Sequence, residues 1–446
     1  MELVGFTLII DDIVLPDGRT CMAQLGGGGP QTLFGFQLVS AALSPHNNTC
    51  SVGLAAGVGR NLPDFCKDWL LRVGCDGGGL LIGRHPTPRA WQVFEEDGRR
   101  TQIWRVRECD ELYQQLRPSF SQLPAAFQSS VHYHLGIHAG HPPMKLLRAL
   151  RDAAHARGGL LSVETYTACD GPPRAEQLAA LLQAVDVFSP NEAEAASIVG
   201  PGSPQQLVQR LLAAGARTVS LRMGPQGALV ADAPSSTMWH VPAVPGTHVV
   251  DVTGCGNAFC GGFMAGLHAG VSMLDAARWG CVAGSIMAEW RGVPPAEVLW
   301  APLLQQAAAK HALLQAAGFE AGAFPQDWLV GGAYGGSSSS GCSSNTRDAA
   351  VGHAGAVVQS PGEAEAVPAA STSGSAVRSL QGRQQTINTV LSCCCSNPLV
   401  QQRQSSSCGH RSSSTADSSR SRLPRPHCLV GSKFAGGLRQ RPCLRL

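Results

Sequence analysis

Short apolar runs alternate with longer stretches of helical periodicity over the first 330 residues, and this rhythm constrains the fold more than any other feature. Runs of strand length occupy 3–10 (LVGFTLII), 131–137 (VHYHLGI), 159–163, 185–188, 217–221 and 227–231. Between and after them, 143–157, 174–184, 191–199, 204–214 and 257–269 have helical spacing of apolar residues. A chain that alternates in this way buries its strands as a mostly parallel sheet covered by helices on both faces, an α/β fold. One stretch breaks the rhythm. WQVFEEDGRRTQIWRV, residues 91–106, sets Asp97-Gly98 between two strand-like arms, a strong hairpin signal. An antiparallel hairpin leaving a parallel sheet is expected to form a small β-lid over a site.

The rhythm stops near Gly331. Beyond it the chain is rich in Ser, Gly and Arg and lacks periodicity, so 331–446 is expected to be a disordered basic tail. Residues 334–446 carry 12 Lys+Arg against 4 Asp+Glu, whereas 1–333 carry 22 against 27. A mildly acidic body argues against nucleic acid as a partner. Its nine cysteines have no metal-ligand or disulfide-framework spacing. No apolar run reaches the roughly 20 residues of a membrane span. The start, MELVGFTLIIDD, enters a strand-like run without a basic leader, so a cytoplasmic location is expected. Cys443 stands four residues from the end in prenylation spacing, but Arg445 occupies a position that prefers an aliphatic residue.

The chemistry concentrates in VVDVTGCGNAFCGGFMAGLHAG, residues 249–270. Gly254, Cys255 and Gly256 lie just before a helix whose first amides have no intrahelical partner. Glycines let that backbone turn sharply, and open N–H groups at the positive end of a helix dipole form an anion site suited to phosphate. Gly261, Gly262 and Gly266 each cost the helix roughly 1 kcal/mol relative to Ala. Three together imply that another backbone, or a nucleotide, packs very close.

Asp251 through Phe263, D-V-T-G-C-G-N-A-F-C-G-G-F, resembles the second signature of the PfkB, or ribokinase-like, carbohydrate kinases. Other pieces follow in that family's order over about residues 1–310. Asp12 with the Gly26-Gly27 turn and Gln31 resembles the substrate end. Asn191 to Glu194 is similar to the family's N-x-x-E element, Arg222 to Gly227 to the nucleotide turn, and 276–293 to the closing helix near the adenine. The resemblance implies transfer of the γ-phosphoryl group of ATP to a hydroxyl of a sugar or nucleoside-like molecule. It assigns the anion hole to Gly254, Cys255 and Gly256, and the acceptor to Asp12, Gly26, Gly27 and Gln31. It assigns nucleotide contacts to Asn191, Arg222, Gly224 and Gly227, and Mg²⁺ to Glu194. It also implies a monovalent cation near Asp251 and a lid able to pair two copies into a homodimer.

Asn257 departs from this pattern, because the family's catalytic base there is an aspartate. General-base help is worth about 10²–10⁴ in rate, so slow turnover is one expectation and a nucleotide-binding pseudokinase the alternative. Gln31 stands for a common Asn and Val252 for a frequent Thr, and Glu164-Thr165-Tyr166 stands where a strand-end Asp is usual. A competing site lies in HYHLGIHAGH, whose His132, His134, His138 and His141 could gather around zinc, although no carboxylate lies close by in the sequence. GCDGGGLLIG, residues 74–83, reads as loop-like and lacks the context of a dinucleotide turn.

Overall fold

Leu-, Val- and Ala-rich strands buried on both sides form the centre of the molecule in the computed structural model. It describes residues 1–323 except 45–49, 97–99, 108–109, 299 and 318–319. The tail assigned to 331–446, with Cys443, lies outside the described residues. In chain order the strands are β1 (Leu3–Phe6), β2 (Ile9–Val14), β3 (Thr20–Gly26), β4 (Val52–Val58), β5 (Cys75–Ile82), β6 (Arg89–Phe94) and β7 (Arg100–Trp104). β8 (His132–Ile137), β9 (Leu161–Thr165), β10 (Val187–Ser189), β11 (Thr218–Arg222), β12 (Ala228–Asp232), β13 (Thr237–Val241) and β14 (Glu320–Ala323) follow.

Ten of these form one sheet in the order β14-β13-β12-β11-β10-β9-β8-β1-β4-β5. Every neighbouring pair from β11 to β5 is parallel, and β12 to β14 close the other edge antiparallel. The parallel strands need apolar residues on both faces because helices cover both. One face carries α1 (Gly28–Leu43), α2 (Asp64–Arg72), α9 (Cys255–His268), α10 (Met273–Ala288) and α11 (Ala301–Ala316). The other carries α4 (Ala125–Gln128), α5 (Met144–His155), α6 (Ala175–Gln183), α7 (Glu192–Val199) and α8 (Pro204–Ala213). A short α3 (Asp110–Leu116) completes the set. The α/β expectation holds, and the helices and strands read from periodicity match within a few residues.

Three segments differ. The run 3–10 is two strands, because the backbone turns at Thr7, whose φ of 76° leaves the extended region. The part beyond Thr7 belongs to a second sheet, ordered β3-β2-β6-β7. The expected lid hairpin is therefore half of a four-stranded lid, with β6 and β7 as its arms and the Asp97-Gly98 turn outside the described residues. The loop-like 74–83 contains the edge strand β5. Its glycines serve packing: a side chain at Gly79 would collide with the Phe127 ring and the Leu54 carbonyl.

The close approach implied by the glycines of α9 is made by α1. A Cβ at Gly261 would meet the Thr32 carbonyl oxygen, and one at Gly35 would meet the backbone of Ala258. The two helices thus touch backbone to backbone, which fixes the entry point of α9 over the sheet. Gly261→Ala should destabilise the protein by about 1–3 kcal/mol through overpacking, although Ala is the better helix former. Denaturant unfolding of the two forms checks this; a stabilised variant would show that the helices can separate.

Candidate active site

The C-terminal ends of the parallel strands, the edge where open α/β sheets bind ligands, meet α9 at the 251–257 corner. Gly254 caps α9 in the left-handed region with φ 80°, and a Cβ there would strike the Gln31 amide. The amides of Gly254, Gly256 and Asn257 find no acceptor among the described residues, whereas Cys255 N donates to Val252 O at 3.3 Å. Three open N–H groups at a helix start can hold a phosphate oxygen.

Behind this turn sits a buried charge cluster. Arg222, at the end of β11, reaches Glu164 Oε2 and Glu194 Oε2, both at 3.2 Å. It also donates to the carbonyls of Ser189 at 2.9 Å and Thr165 at 3.2 Å. Glu194 and Asn191 form a capping box on α7: the Asn191 side chain accepts from Glu194 N, and Glu194 Oε2 accepts from Asn191 N, both at 2.8 Å. Thr165 Oγ1 donates to the same oxygen at 2.7 Å, which leaves Glu194 Oε1 for a cation. Burial raises the Glu194 carboxyl pKa and outweighs the pull of Arg222. Burial pushes Glu164 the same way, yet His134 and the charge on Arg222 hold it below the usual range.

Asn257 lies between Glu164 and Gln31. Its Nδ2 donates to both Glu164 oxygens, at 2.8 Å to Oε2, and its oxygen faces the Gln31 amide at 2.5 Å. The opposite orientation would set the Asn257 oxygen against a carboxylate. With the Gln31 amide turned to present its NH₂ group, the contacts from Glu164 to Asn257 and from Asn257 to Gln31 each join a donor to an acceptor. Gln31 and Glu164 are only 1% and 2% exposed, and Glu164 also pairs with Arg222.

The lid end differs from the expectation for Asp12. That carboxylate is a strut of the lid: Arg89 grips it with Nε at 2.6 Å and Nη2 at 2.8 Å, Arg105 joins, and Ala23 N donates at 2.7 Å. Its neighbour Asp11 takes the other side of β2, against Gly26, and accepts from Gln92 Nε2 at 2.8 Å. Burial raises the Asp11 pKa to about 7; Gln92 and Arg100 oppose the shift, and Asp251 and Asp12 add to it. Gly27 starts α1 at φ 87°, where a Cβ would hit the backbone of Thr7 to Ile9. Gly224 and Gly227, both at positive φ, turn the chain between β11 and β12. The Asp251 carboxylate accepts from Thr253 N at 2.8 Å and Gly292 N at 3.1 Å. Any cation there would therefore rely on backbone carbonyls.

The four histidines do not converge. His132 pairs with His268 at 3.1 Å, and burial with that neighbour pushes it down to about 4. His134 Nδ1 meets Ser162 Oγ at 3.0 Å, and His138 stacks on His141 at 5.3 Å between ring centroids. A carboxylate does stand near one of them: Glu164 Oε1 is 3.7 Å from His134 Nε2, joined across the sheet and not along the sequence.

The pfkB family carbohydrate kinase model matches residues 76–296. The chain belongs to the PfkB family. A cytidine kinase of Thermococcus kodakarensis is 27% identical over 287 residues, 63% of this chain and 94% of that protein. The ribokinase of Arabidopsis thaliana, solved with ribose and ATP, superposes with a TM-score of 0.53 at 17% identity, over 70% of this chain and 99% of its own. An E. coli candidate ribokinase II with ATP and Mg²⁺ bound also scores 0.53, at 18% identity over 71% of this chain and 99% of its own. At these identities the structures establish the fold, and the ribokinase-like expectation stands.

Sequence reasoning gave no role to Asp11 or Gln92 and read Glu164 only as standing where a strand-end Asp is usual. Adjacent aspartates on one strand point to opposite faces, and Glu164 ends a parallel strand, the edge where ligands bind.

Two predictions follow from this geometry. Asn257→Asp would set a second carboxylate against Glu164, and neighbouring carboxylates cannot both ionise. It should cost roughly 1.5–3 kcal/mol, the worth of a hydrogen bond to a charged group. The new carboxyl is protonated more strongly when folded, so the cost is absent below about pH 4 and grows as pH rises. Thermal unfolding of Asn257→Asp alone and with Glu164→Gln should show the pH dependence in the first only. For Asp11, a folded pKa of about 7 means the folded state binds the extra proton, so its contribution is present at low pH and lost as pH rises toward 7. Asp11→Asn should therefore unfold at a higher temperature than the natural protein at pH 8 and show no such gain at pH 4.

Proposed function

We propose that the protein transfers the γ-phosphoryl group of Mg·ATP to a hydroxyl of a sugar or nucleoside-like small molecule. The carrying observation is the start of α9, with three open amides and an αL glycine at the C-terminal edge of a parallel sheet in a PfkB-family chain. Phosphoryl transfer depends on positioning and charge stabilisation, which this corner can supply. The names of the relatives, a cytidine kinase and a ribokinase solved with ribose and ATP, support the same class of reaction.

The residues present suit the nucleotide and the ion. Open amides and Arg222 suit phosphate oxygens, and Glu194 Oε1 is a hard oxygen donor of the kind Mg²⁺ takes. Bound Mg²⁺ would neutralise charge developing on the phosphates. Gly224 and Gly227 let the β11–β12 turn lie against a nucleotide. At the acceptor end, Asp11, Gln92 and the Gly26-Gly27 turn offer hydrogen bonds to hydroxyl groups. Asn257 orients the attacking hydroxyl through its amide oxygen but cannot take its proton. A monovalent cation near Asp251 and pairing of two copies through the lid belong to the same reading.

Calorimetry with Mg·ATP tests the reading. The natural protein should bind at roughly micromolar Kd, and Gly256→Asp, which places a carboxylate in the anion hole beside Arg222, should weaken binding about 100-fold, or roughly 2.7 kcal/mol. Turnover should run about 10²–10⁴-fold below that of a corner with a base. A folded protein that binds no nucleotide would overturn the proposal. Binding without transfer to any hydroxylated acceptor would leave a nucleotide-binding regulator.

A further inference from the structure

Two guanidinium groups near the acceptor end of the cleft have no role in holding the corner together. Arg117, just after α3, crosses to β8 and donates from Nη2 to the Gly136 carbonyl at 2.6 Å. Its Nε is buried with no partner. Among the described residues, Arg117 enters no ion pair. Burial holds its pKa below the ordinary arginine value, with only Tyr166 opposing the shift. Gly136 abuts the centre of the site: a Cβ there would lie 3.6 Å from Glu164 Oε1 and 3.7 Å from the Tyr166 ring.

The second group is Arg100, on lid strand β7. Its Nη2 donates to the Tyr166 carbonyl at 3.3 Å. The same charge lies close enough to Asp11 and Glu164 to favour the ionised form of both. Arg100 and Arg117 thus approach Tyr166 from the lid and from the sheet. The acids around them do not cancel their charge. Glu164 is paired with Arg222, the Asp251 carboxylate accepts from two amides, and burial disfavours the charged form of Asp11. The same edge stays basic further out, where a cavity of about 620 Å³ beyond β4 and β5 is lined in part by Arg60, Arg84 and His85.

We propose that the acceptor carries an oxyanion, a phosphate or carboxylate group on a hydroxylated small molecule, bound by Arg117 and Arg100 while its hydroxyl faces Asn257. This rests on the kinase reading above and narrows its substrate class. A buried guanidinium without a counter-ion is costly, and an anion that pairs with it removes that cost. The planar fork of arginine matches phosphate or carboxylate oxygens in pairs, a geometry lysine does not reproduce. A neutral sugar would leave the Arg117 guanidinium without a counter-ion, and sites built for a polar group reject analogues that lack it.

The test uses the full chain and matched pairs: ribose with ribose 5-phosphate, fructose with fructose 6-phosphate, and glucose with gluconate. Binding is measured by calorimetry without nucleotide, and turnover with Mg·ATP. In at least one pair the anionic member should bind about 100-fold more tightly, and the phosphate and carboxylate arms identify the anion. Arg117→Lys and Arg100→Gln should each reduce that preference about tenfold or more, raising KM with little change in kcat. Equal binding of both members in every pair would overturn the proposal. So would a preference unchanged in both variants. Arg100 is exposed, so its variant remains informative if Arg117→Lys unfolds. Anion preference without phosphoryl transfer would keep the anion site and sink the kinase reading. Transfer to neutral acceptors with no such preference would do the reverse.

Discussion

The site depends on the buried guanidinium of Arg222. It holds Glu164 at the end of β9, Glu194 in the first turn of α7, and the carbonyls ending β9 and β10. Three neighbouring strands are therefore tied at the edge where the ligand must sit. Burial works against the charged form, and Glu164 and Glu194 more than offset it, so the arginine is held charged. Pairs of this kind contribute little net stability, but losing one partner leaves an uncompensated buried charge worth about 3–5 kcal/mol. The arrangement also accounts for Gly256: any side chain there would run into the Arg222 guanidinium. The glycine thus leaves room for the guanidinium behind it.

With one arginine already shared by two carboxylates, the corner has no charge left to neutralise a third. Asn257 fits this constraint, since its NH₂ group donates to Glu164 where an aspartate would repel it. The departures at 164 and 257 are thus coupled. The family resemblance implies an aspartate at each position. Glutamate is one methylene longer than aspartate, and here its carboxylate hydrogen-bonds directly with the side chain at 257. An amide at 257 is what that contact requires. Gln31, longer than the Asn common at its position, reaches Asn257 from the other side. Three substitutions that look independent along the chain form one hydrogen-bonded row in space.

This coupling marks how far the sequence could be read. The sheet and its helices were legible because burial on two faces enforces apolar runs and amphipathic periodicity, and the 251–263 signature located the glycine turn that starts α9. Features set by pairing between distant segments were not legible. Nothing local distinguishes Asp11 from Asp12; the arginines on β6 and after β7 decide which carboxylate becomes a strut. β5 was hidden because it is rich in glycine, of which Gly79 makes room for Phe127 on a helix some fifty residues away. The acidic helix start at Asn191 and Glu194 was readable from spacing, and the structure makes it a reciprocal cap in which one Glu194 oxygen accepts from Asn191 N.

The lid connects these local facts to access. Asp12, Arg89 and Arg105 bind β2, β6 and the end of β7 into one unit, and Arg105 also stacks over Trp91 at 4.7 Å. These contacts tie the strands of the lid sheet to one another. Arg100 on β7 reaches the strand ends of the main sheet through its bond to the Tyr166 carbonyl. A neutral carbonyl holds an arginine less strongly than an oxyanion does, so an anionic ligand at that point would compete well for the same guanidinium.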